Sequence, residues 1–214
     1  MLIVNPSTFT TWATALDQVA EHMTQCPVPT MQDALKRTAR VFFTRSGIWR
    51  SDEQLLITTV ADTQAYDFTP PTNAELSRVF SAWFGEVELD VAQPGQWADT
   101  ATATVETDTE SLVVGVRDGK IYLSPMPGTV GALIRGVVVY TLSGDSVGIP
   151  SHAWDEWGPA IAAGAASRLK MQESRPWSSP QMAGLLQNEF VRAINSASNE
   201  AGPVRRKPLR VRVW

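Results

Sequence analysis

The feature that most constrains the fold is a change in hydrophobic period that occurs twice along the chain. Residues 7–46 and 151–200 carry apolar side chains at helical spacing, whereas no ten-residue helical period appears between about residues 50 and 145. In that middle stretch short apolar runs alternate with polar residues, and Gly or Pro stands at every joint. The order of helices, strands and helices predicts an α+β protein.

Each end of the chain predicts a pair of helices. The first helix begins after a cap at Ser7 or Thr8 and stops before a Pro-Val-Pro sequence at 27–29, and the second runs from Thr30 to a stop at Ser46-Gly47. A third begins at Ser151. A fourth spans residues 181–200, with an expected inward face of Met182, Leu185, Leu186, Phe190, Ala193 and Ile194.

Because each pair has one apolar stripe to bury, we expect the two pairs to pack together. The predicted architecture is a discontinuous helical bundle of residues 1–47 and 148–202, an inserted β module of residues 48–147 and an extended C-terminal arm of residues 203–214. The β module is expected to be antiparallel and sandwich-like. Its predicted strands are Leu55–Val60, Ala65–Phe68, Arg78–Phe84, Glu86–Val91, Thr100–Glu106, Ser111–Val116, Lys120–Leu123 and a central Ala132–Leu142.

Turn signals set the expected pairing of these strands. We expect a first hairpin around residues 61–64, a second turning at Gly85, and a tight turn at Asp118-Gly119.

Composition excludes several classes of function. The formal net charge is −4, whereas a domain that grips nucleic acid by counterion release is normally basic. One cysteine and two histidines leave no material for a disulfide or a thiolate cluster, and little for a zinc site. We therefore expect no cofactor and no metal. No stretch is apolar enough for a membrane span, and residues 1–20 lack the pattern of a signal peptide, so we expect a protein made in the cytoplasm.

One catalytic motif occurs and is weighed against a plain loop. Residues 144–148 match the G-x-S-x-G pattern with Ser146 at the nucleophile position. That motif needs a helix directly after the serine, but Pro150 stands where the helix interior should run. His152, the only later histidine, lies six residues from Ser146. A loop that joins a strand to a helix accounts better for this segment, and we expect no enzyme.

Two charge asymmetries remain. Residues 85–118 contain eight acidic residues and one base, which predicts either a solvated β surface or an acidic wall along which a polyanion slides. The candidate residues for this acidic lumen or surface are Glu86, Glu88, Asp90, Glu106, Asp108 and Glu110.

The second asymmetry is the C-terminal arm, which contains five bases and no acid. Such a tail is often a nucleic-acid-binding segment. Here, however, apolar and basic residues alternate at strand spacing up to a final tryptophan, which favours an arm that docks on another subunit. The candidate docking residues are Arg205, Arg206, Lys207, Leu209, Arg210, Val211, Arg212, Val213 and Trp214.

The order of these features resembles the head-to-tail adaptor proteins of short-tailed phages, the tail tubular or head completion rings below the portal. The resemblance covers most of the chain. It rests on the segments Ala34–Phe42 and Thr44–Trp49, Tyr66-Asp67-Phe68-Thr69-Pro70, Ile121–Pro127, Ile149-Pro150, the Ala/Gly-rich helix to Arg168-Leu169, and Arg175–Pro180.

The resemblance implies a structural virion protein in the phage neck, assembled in the host cytoplasm. It implies a homo-oligomeric ring, a dodecamer, that binds the portal protein through the C-terminal arm and receives a downstream nozzle or tail-tube protein on its far side. Genomic DNA would pass through the lumen without specific binding. No membrane partner is implied.

Three alternatives stay open on the sequence. One is another tail-ring component, a stopper or a terminator. A second is a β-sandwich ligand-binding module for glycans, with Trp83 and Trp97 lining a groove. A third is a small serine hydrolase that uses Ser146.

Overall fold

A computed structural model describes residues 6, 8–92, 112–124, 127–128 and 130–202 of the chain. The chain divides into two compact units, of which the first contains residues 1–50, 70–75 and 140–201. The second contains residues 51–69, 76–139 and 202–214. The α+β class predicted from the sequence is confirmed, with four helices and a large mixed sheet. No helix among the described residues is long and apolar enough to span a membrane.

The four helices among the described residues all belong to unit 1, and they come from both ends of the chain. They are α1 (Trp12–Ala20), α2 (Val28–Ser46), α3 (Ser151–Lys170) and α4 (Pro180–Glu200). Helix α3 contacts each of the other three, and its small residues permit the close approach. An added Cβ at Gly164 would lie 2.6 Å from the Phe190 ring of α4 and 2.8 Å from the Thr38 methyl of α2.

Aromatic side chains fill the core of this unit. Phe42 and Phe43 are fully buried with ring centroids 5.7 Å apart, and Trp49 stands edge-on to Phe43 at the same separation. Tyr140 packs on Trp49 at 5.9 Å, and Phe190 packs on Phe42 at 6.3 Å. Such edge-to-face contacts add to the stabilisation that burial of the rings already provides.

Helices α1 and α2 begin at other residues than predicted. Residues Phe9–Thr11 form a short strand, β1, so α1 begins only at Trp12, where the Thr11 side chain accepts from the Thr14 N–H. Helix α2 begins at Val28 because Pro29 occupies the first turn, where a missing N–H costs nothing. Its predicted stop is confirmed, with Gly47 in the left-handed conformation.

The predicted inward face of α4 is wrong at two positions. Leu186, Phe190, Ala193 and Ile194 are buried as expected, together with Ala183 and Ala197. Leu185 and Met182 are 64% and 45% exposed. The buried stripe follows the 3.6-residue period of Ala183, Leu186 and Phe190, and this phase turns Leu185 out of the core.

A second small element of unit 1 joins its two chain segments. Strand β1 pairs antiparallel with Gly148–Pro150, with Thr10 opposite Ile149. Gly148 is required here because an added Cβ would lie 2.0 Å from the Thr10 carbonyl oxygen. The pairing places the start of α3 directly beside the start of α1.

The sheet has seven strands, and most of it belongs to unit 2. The strands are β2 (Gln54–Thr58), β3 (Ala65–Tyr66), β4 (Ala74–Phe84), β5 (Val87–Val91), β6 (Val113–Arg117), β7 (Lys120–Ser124) and β8 (Leu133–Leu142), and we number Gly148–Pro150 as β9. Their order in the sheet is β2-β8-β4-β5-β6-β7-β3. Strand β8 is an interior strand, as its β-branched run predicts.

The prediction of an antiparallel sandwich is corrected in two respects. The seven strands form one sheet, and β5 pairs parallel with β6. Parallel neighbours need a long connection, and the chain between Val91 and Val113 is long enough to supply one. The predicted strand at 100–106 falls in this stretch and lies outside the described residues.

The structure contradicts one of the predicted hairpins and confirms the other two turns. The first is wrong, because β2 pairs with β8 and β3 pairs with β7 at opposite edges of the sheet. The second is confirmed by the pairing of β4 with β5, with Trp83 opposite Glu88. The turn at Asp118-Gly119 is also confirmed, since both residues have positive φ between the paired strands β6 and β7.

Candidate functional site

Two groups of site residues predicted from the sequence lie outside the described part of the chain. The arm residues 205–214 are one group, and the acidic residues 106, 108 and 110 are the other. The remaining acidic candidates are described: Glu86 and Asp90 are exposed and Glu88 is half-buried. Glu88 and Asp90 alternate along β5 and share one face of the strand, and Glu86 lies in the turn before it.

Unit 1 has a pocket beside α2, which we call the basic pocket. Its volume is about 210 Å³. One wall is the exposed face of α2 and the other is the turn that follows β8. The lining residues are Trp12, Asp33, Lys36, Arg37, Arg40, Leu142, Ser143, Gly144 and Ser146.

The turn at 143–147 is fixed by hydrogen bonds from three directions. The indole N–H of Trp12 donates to the Ser146 carbonyl at 2.7 Å, and this bond is buried. The Gly144 N–H donates to Glu75 Oε1 at 3.1 Å. Asn73 accepts from the Ser143 and Val147 N–H groups through its carbonyl and side-chain oxygens. The wall of the pocket is therefore held in place before any ligand arrives.

The cations of the basic pocket come from one face of α2. Asp33, Lys36, Arg37 and Arg40 follow the i, i+3, i+4, i+7 spacing that brings side chains together on a helix. Arg40 is ion-paired with Glu75. The Lys36 ammonium lies 5.6 Å from the centroid of the Trp12 ring, and neither Lys36 nor Arg37 forms an ion pair with a described residue.

The pocket includes the serine of the G-x-S-x-G match, but its geometry is that of a turn. Ser146 is buried, and its N–H donates to the Ser143 carbonyl. Its own carbonyl accepts a hydrogen bond from the Trp12 indole N–H. Strand β9 separates it from α3, which starts only at Ser151. A nucleophile elbow needs the helix directly after the serine, and this segment lacks that arrangement.

Replacing Trp12 with Phe tests how firmly the turn is anchored. The change leaves the buried Ser146 carbonyl without its donor, and we expect it to reduce the free energy of unfolding by about 1–3 kcal/mol. Trp177→Phe is the matched control, because the buried Trp177 Nε1–H has no hydrogen-bond partner among the described residues. Urea denaturation of both variants measures the difference. Equal losses would contradict an anchoring hydrogen bond.

Unit 2 has an open groove on its sheet, of about 490 Å³. It is lined by Glu53, Trp83, Gly85, Leu133 and Arg135. Trp83 is half-buried and Leu133 is 50% exposed, so the groove offers a partly exposed aromatic face between a carboxylate and a guanidinium. The second tryptophan predicted for such a groove, at position 97, lies outside the described residues.

No group of three or more His, Cys, Asp or Glu side chains in the described ranges could hold a metal ion. Burial raises the pKa of the one thiol, Cys26, which makes it a poorer nucleophile. A comparison with protein-family models gives no match for the chain, and a comparison with curated proteins gives none either.

Proposed function

We propose that the chain is a structural phage virion protein that forms the head-to-tail adaptor ring between portal and tail. In this proposal several copies, twelve by resemblance, surround a lumen through which DNA passes. The C-terminal arm of each copy binds the portal, and the opposite side of the ring receives the nozzle or tail-tube protein.

The observation that carries the proposal is the placement of the helices. Both terminal helix pairs belong to unit 1, and the chain of unit 2 is inserted between them. This is the organisation that the resemblance implies for an adaptor, with a helical bundle as its ring-forming part. The arm follows α4 after Gly202, whose φ of 78° is a helix-ending conformation, so it begins where the bundle ends.

The outer face of α4 supports a role for the bundle in subunit contacts. Leu185 and Met182 are exposed on it, and the only charged residues between positions 181 and 199 are Glu189 and Arg192. Exposed apolar side chains with few charges are the composition of the buried centre of an interface. A neighbouring copy in the ring is the partner that this proposal assigns to the face.

The overall charge supports passage of DNA rather than binding to it. The formal net charge is −4 although the arm contributes five positive charges. A surface with a net negative charge repels phosphates at short range, so it would not retain the genome during ejection.

The double variant Met182→Asn/Leu185→Asn tests the α4 face. Since both side chains are exposed, we expect the free energy of unfolding to fall by no more than about 1 kcal/mol, from the lower helix propensity of Asn. We expect the number of copies retained on the portal to fall several-fold, because the ring loses apolar contact area. Met171→Asn, which alters an equally exposed methionine outside α4, is the control. Retention like that of the unaltered chain would remove α4 from the ring contact.

The portal interaction is tested most simply by competition. A synthetic peptide of residues 203–214 should displace the full-length chain from portal rings of the same genome in a co-sedimentation assay. A peptide of identical composition in scrambled order is the control. If the chain does not sediment with the portal at all, a more distal stopper or terminator ring becomes the better assignment.

The groove in unit 2 supports a second candidate function, a ligand-binding module for glycans. Sugar rings stack on exposed tryptophan faces, and Glu53 and Arg135 would supply hydrogen-bond partners for hydroxyl groups. Titration of oligosaccharides against tryptophan fluorescence tests this candidate. A saturable change that is lost in Trp83→Ala would support it, and a flat titration would exclude the sugars used.

A further inference from the structure

We infer that the basic pocket of unit 1 receives acidic side chains of the β4–β5 hairpin, which contains Glu86 and Asp90, from a neighbouring copy of this chain. The inference rests on the proposed ring, and it names one of the contacts that would join its subunits.

The basic pocket is prepared for a carboxylate. Its turn wall is fixed by the Trp12, Glu75 and Asn73 hydrogen bonds, so no ordering of the backbone opposes binding. Arg40 is already neutralised by Glu75, whereas Lys36 and Arg37 have no acidic partner among the described residues. A volume of about 210 Å³ suits one or two side chains rather than a folded surface. The pocket therefore presents, in a small and rigid space, two cations that form no ion pair with a described residue.

The hairpin supplies the matching charge. Glu86 is exposed in the turn of the hairpin, and Asp90 is exposed on β5 on the same face as Glu88. The pairing of Trp83 with Glu88 and of Phe84 with Val87 makes the hairpin regular. A carboxylate at such a turn can enter a pocket that a flat surface cannot.

A second copy is the favoured source of the carboxylate because the two surfaces belong to different units of the same chain. A ring is built by a heterologous contact, in which one surface of a subunit meets a different surface of the next. Opposite charges on those two surfaces steer the subunits together and disfavour like-to-like contacts.

A zero-length carbodiimide cross-link tests the contact on the full chain without any portal. The reagent joins the Lys36 ammonium to a carboxylate with loss of water only when the two groups touch. A concentrated mixture of isotopically light and heavy chains at low salt should give a Lys36–Glu86 or Lys36–Asp90 peptide pair of mixed isotopic origin. Mixed pairs should become at least ten-fold rarer at high salt. Pairs of uniform isotopic origin only, or no pairs, would overturn the inference.

Charge reversal tests the same contact by its energetics. We expect the unaltered chain to self-associate at low salt in sedimentation experiments. Lys36→Glu/Arg37→Glu and Glu86→Lys/Asp90→Lys should each abolish that association, because each places like charges face to face. An equimolar mixture of the two variants should associate again, since each pocket then meets a hairpin of opposite charge. Arg45→Glu and Asp52→Lys, at exposed positions outside the pocket and the hairpin, are the controls and should behave as the unaltered chain.

The outcomes separate this inference from the proposed function. A mixture that associates no better than either variant alone overturns the contact, even if the chain binds the portal. Restored association together with failure to bind the portal keeps the contact and removes the adaptor assignment. If Lys36→Glu/Arg37→Glu instead loses retention on duplex DNA and no mixed cross-link forms, the pocket binds phosphate and the inference is wrong.

Discussion

A chain truncated after Gly202 is expected to fold normally and to lose its binding to the portal. Helix α4, the last described element of unit 1, ends at Glu200 and the buried Ala201 follows it, so removal of residues 203–214 leaves every described element of that unit complete. In the proposed ring every copy contributes one arm. The truncation therefore removes many linked contacts at once, and their effects on the affinity for the portal multiply. We expect portal affinity to fall by at least about 100-fold, measured on immobilised portal rings.

A charge-preserving variant separates docking of the arm from simple attraction. Leu209→Ser/Val211→Ser/Val213→Ser keeps all five bases of the arm but removes its alternating apolar residues. The proposed docking mode predicts that this variant binds as poorly as the truncated chain. Binding close to that of the unaltered chain would show that charge alone recruits the arm. Loss of the helical circular dichroism signal in the truncated chain would contradict an arm that is separate from the fold.

Gly164→Leu is expected to have the largest effect on stability of any single substitution considered. The glycine lies in α3 where the Phe190 ring and the Thr38 methyl already approach within 2.8 Å of an added Cβ. Both neighbours are buried side chains of other helices, so the ring and the methyl must shift within a packed core. Overpacking of this kind costs typically 1–3 kcal/mol and more when backbone must shift, and we expect a loss of more than about 3 kcal/mol.

Gly184→Leu is the matched control for this prediction. It makes the same chemical change in a neighbouring helix, α4, where nothing lies within 4 Å of an added Cβ. Because leucine has a higher helix propensity than glycine, the free energy of unfolding should rise by about 0.5–1 kcal/mol. Thermal melts followed by the helical circular dichroism signal should move in opposite directions for the two variants. A similar melting temperature for both would contradict the close packing of α3.

Local patterns predicted the elements of this chain better than their partners. The helical period of α2, the stop at Gly47 and the Asp118-Gly119 turn depend on neighbouring residues, and the structure confirms them. The pairing of β2 with β8 and of β3 with β7 depends on residues far apart in the chain. Because β2 and β3 are neighbours in the sequence, a hairpin between them was the expected pairing. Which strands pair depends on all seven strands of the sheet, and this cannot be predicted from the segment between β2 and β3 alone.

The error at Leu185 has a different cause. Leucine at this position is apolar and adjacent to Leu186, so the sequence alone offers two phases for the buried stripe of α4. Alanines at 183 and 197 complete one of the phases, and burial of Phe190 selects it. Small residues carry little hydrophobic signal, yet they mark where helices pack closely. The exposed Leu185 that results is a central residue of the proposed ring contact.

The basic pocket was not predicted from the sequence, although its cations were visible. Lys36, Arg37 and Arg40 share a helix face by spacing alone. Trp12 and Ser146 line the pocket and Glu75 holds its turn, and no periodicity relates these three distant parts of the chain. The turn that forms its wall was instead considered as a hydrolase motif. The backbone carbonyl of its serine, Ser146, accepts the hydrogen bond from the Trp12 indole.

The central claim is that this chain forms a ring on a phage portal, and native mass spectrometry of the mixture tests it most directly. The full-length chain is combined with the portal ring of the same genome and the mass of the complex is compared with that of the portal alone. Twelve copies of the 23.4 kDa chain would add about 280 kDa in one step, with few intermediate masses. An unchanged portal mass at saturating chain concentration would contradict the adaptor assignment.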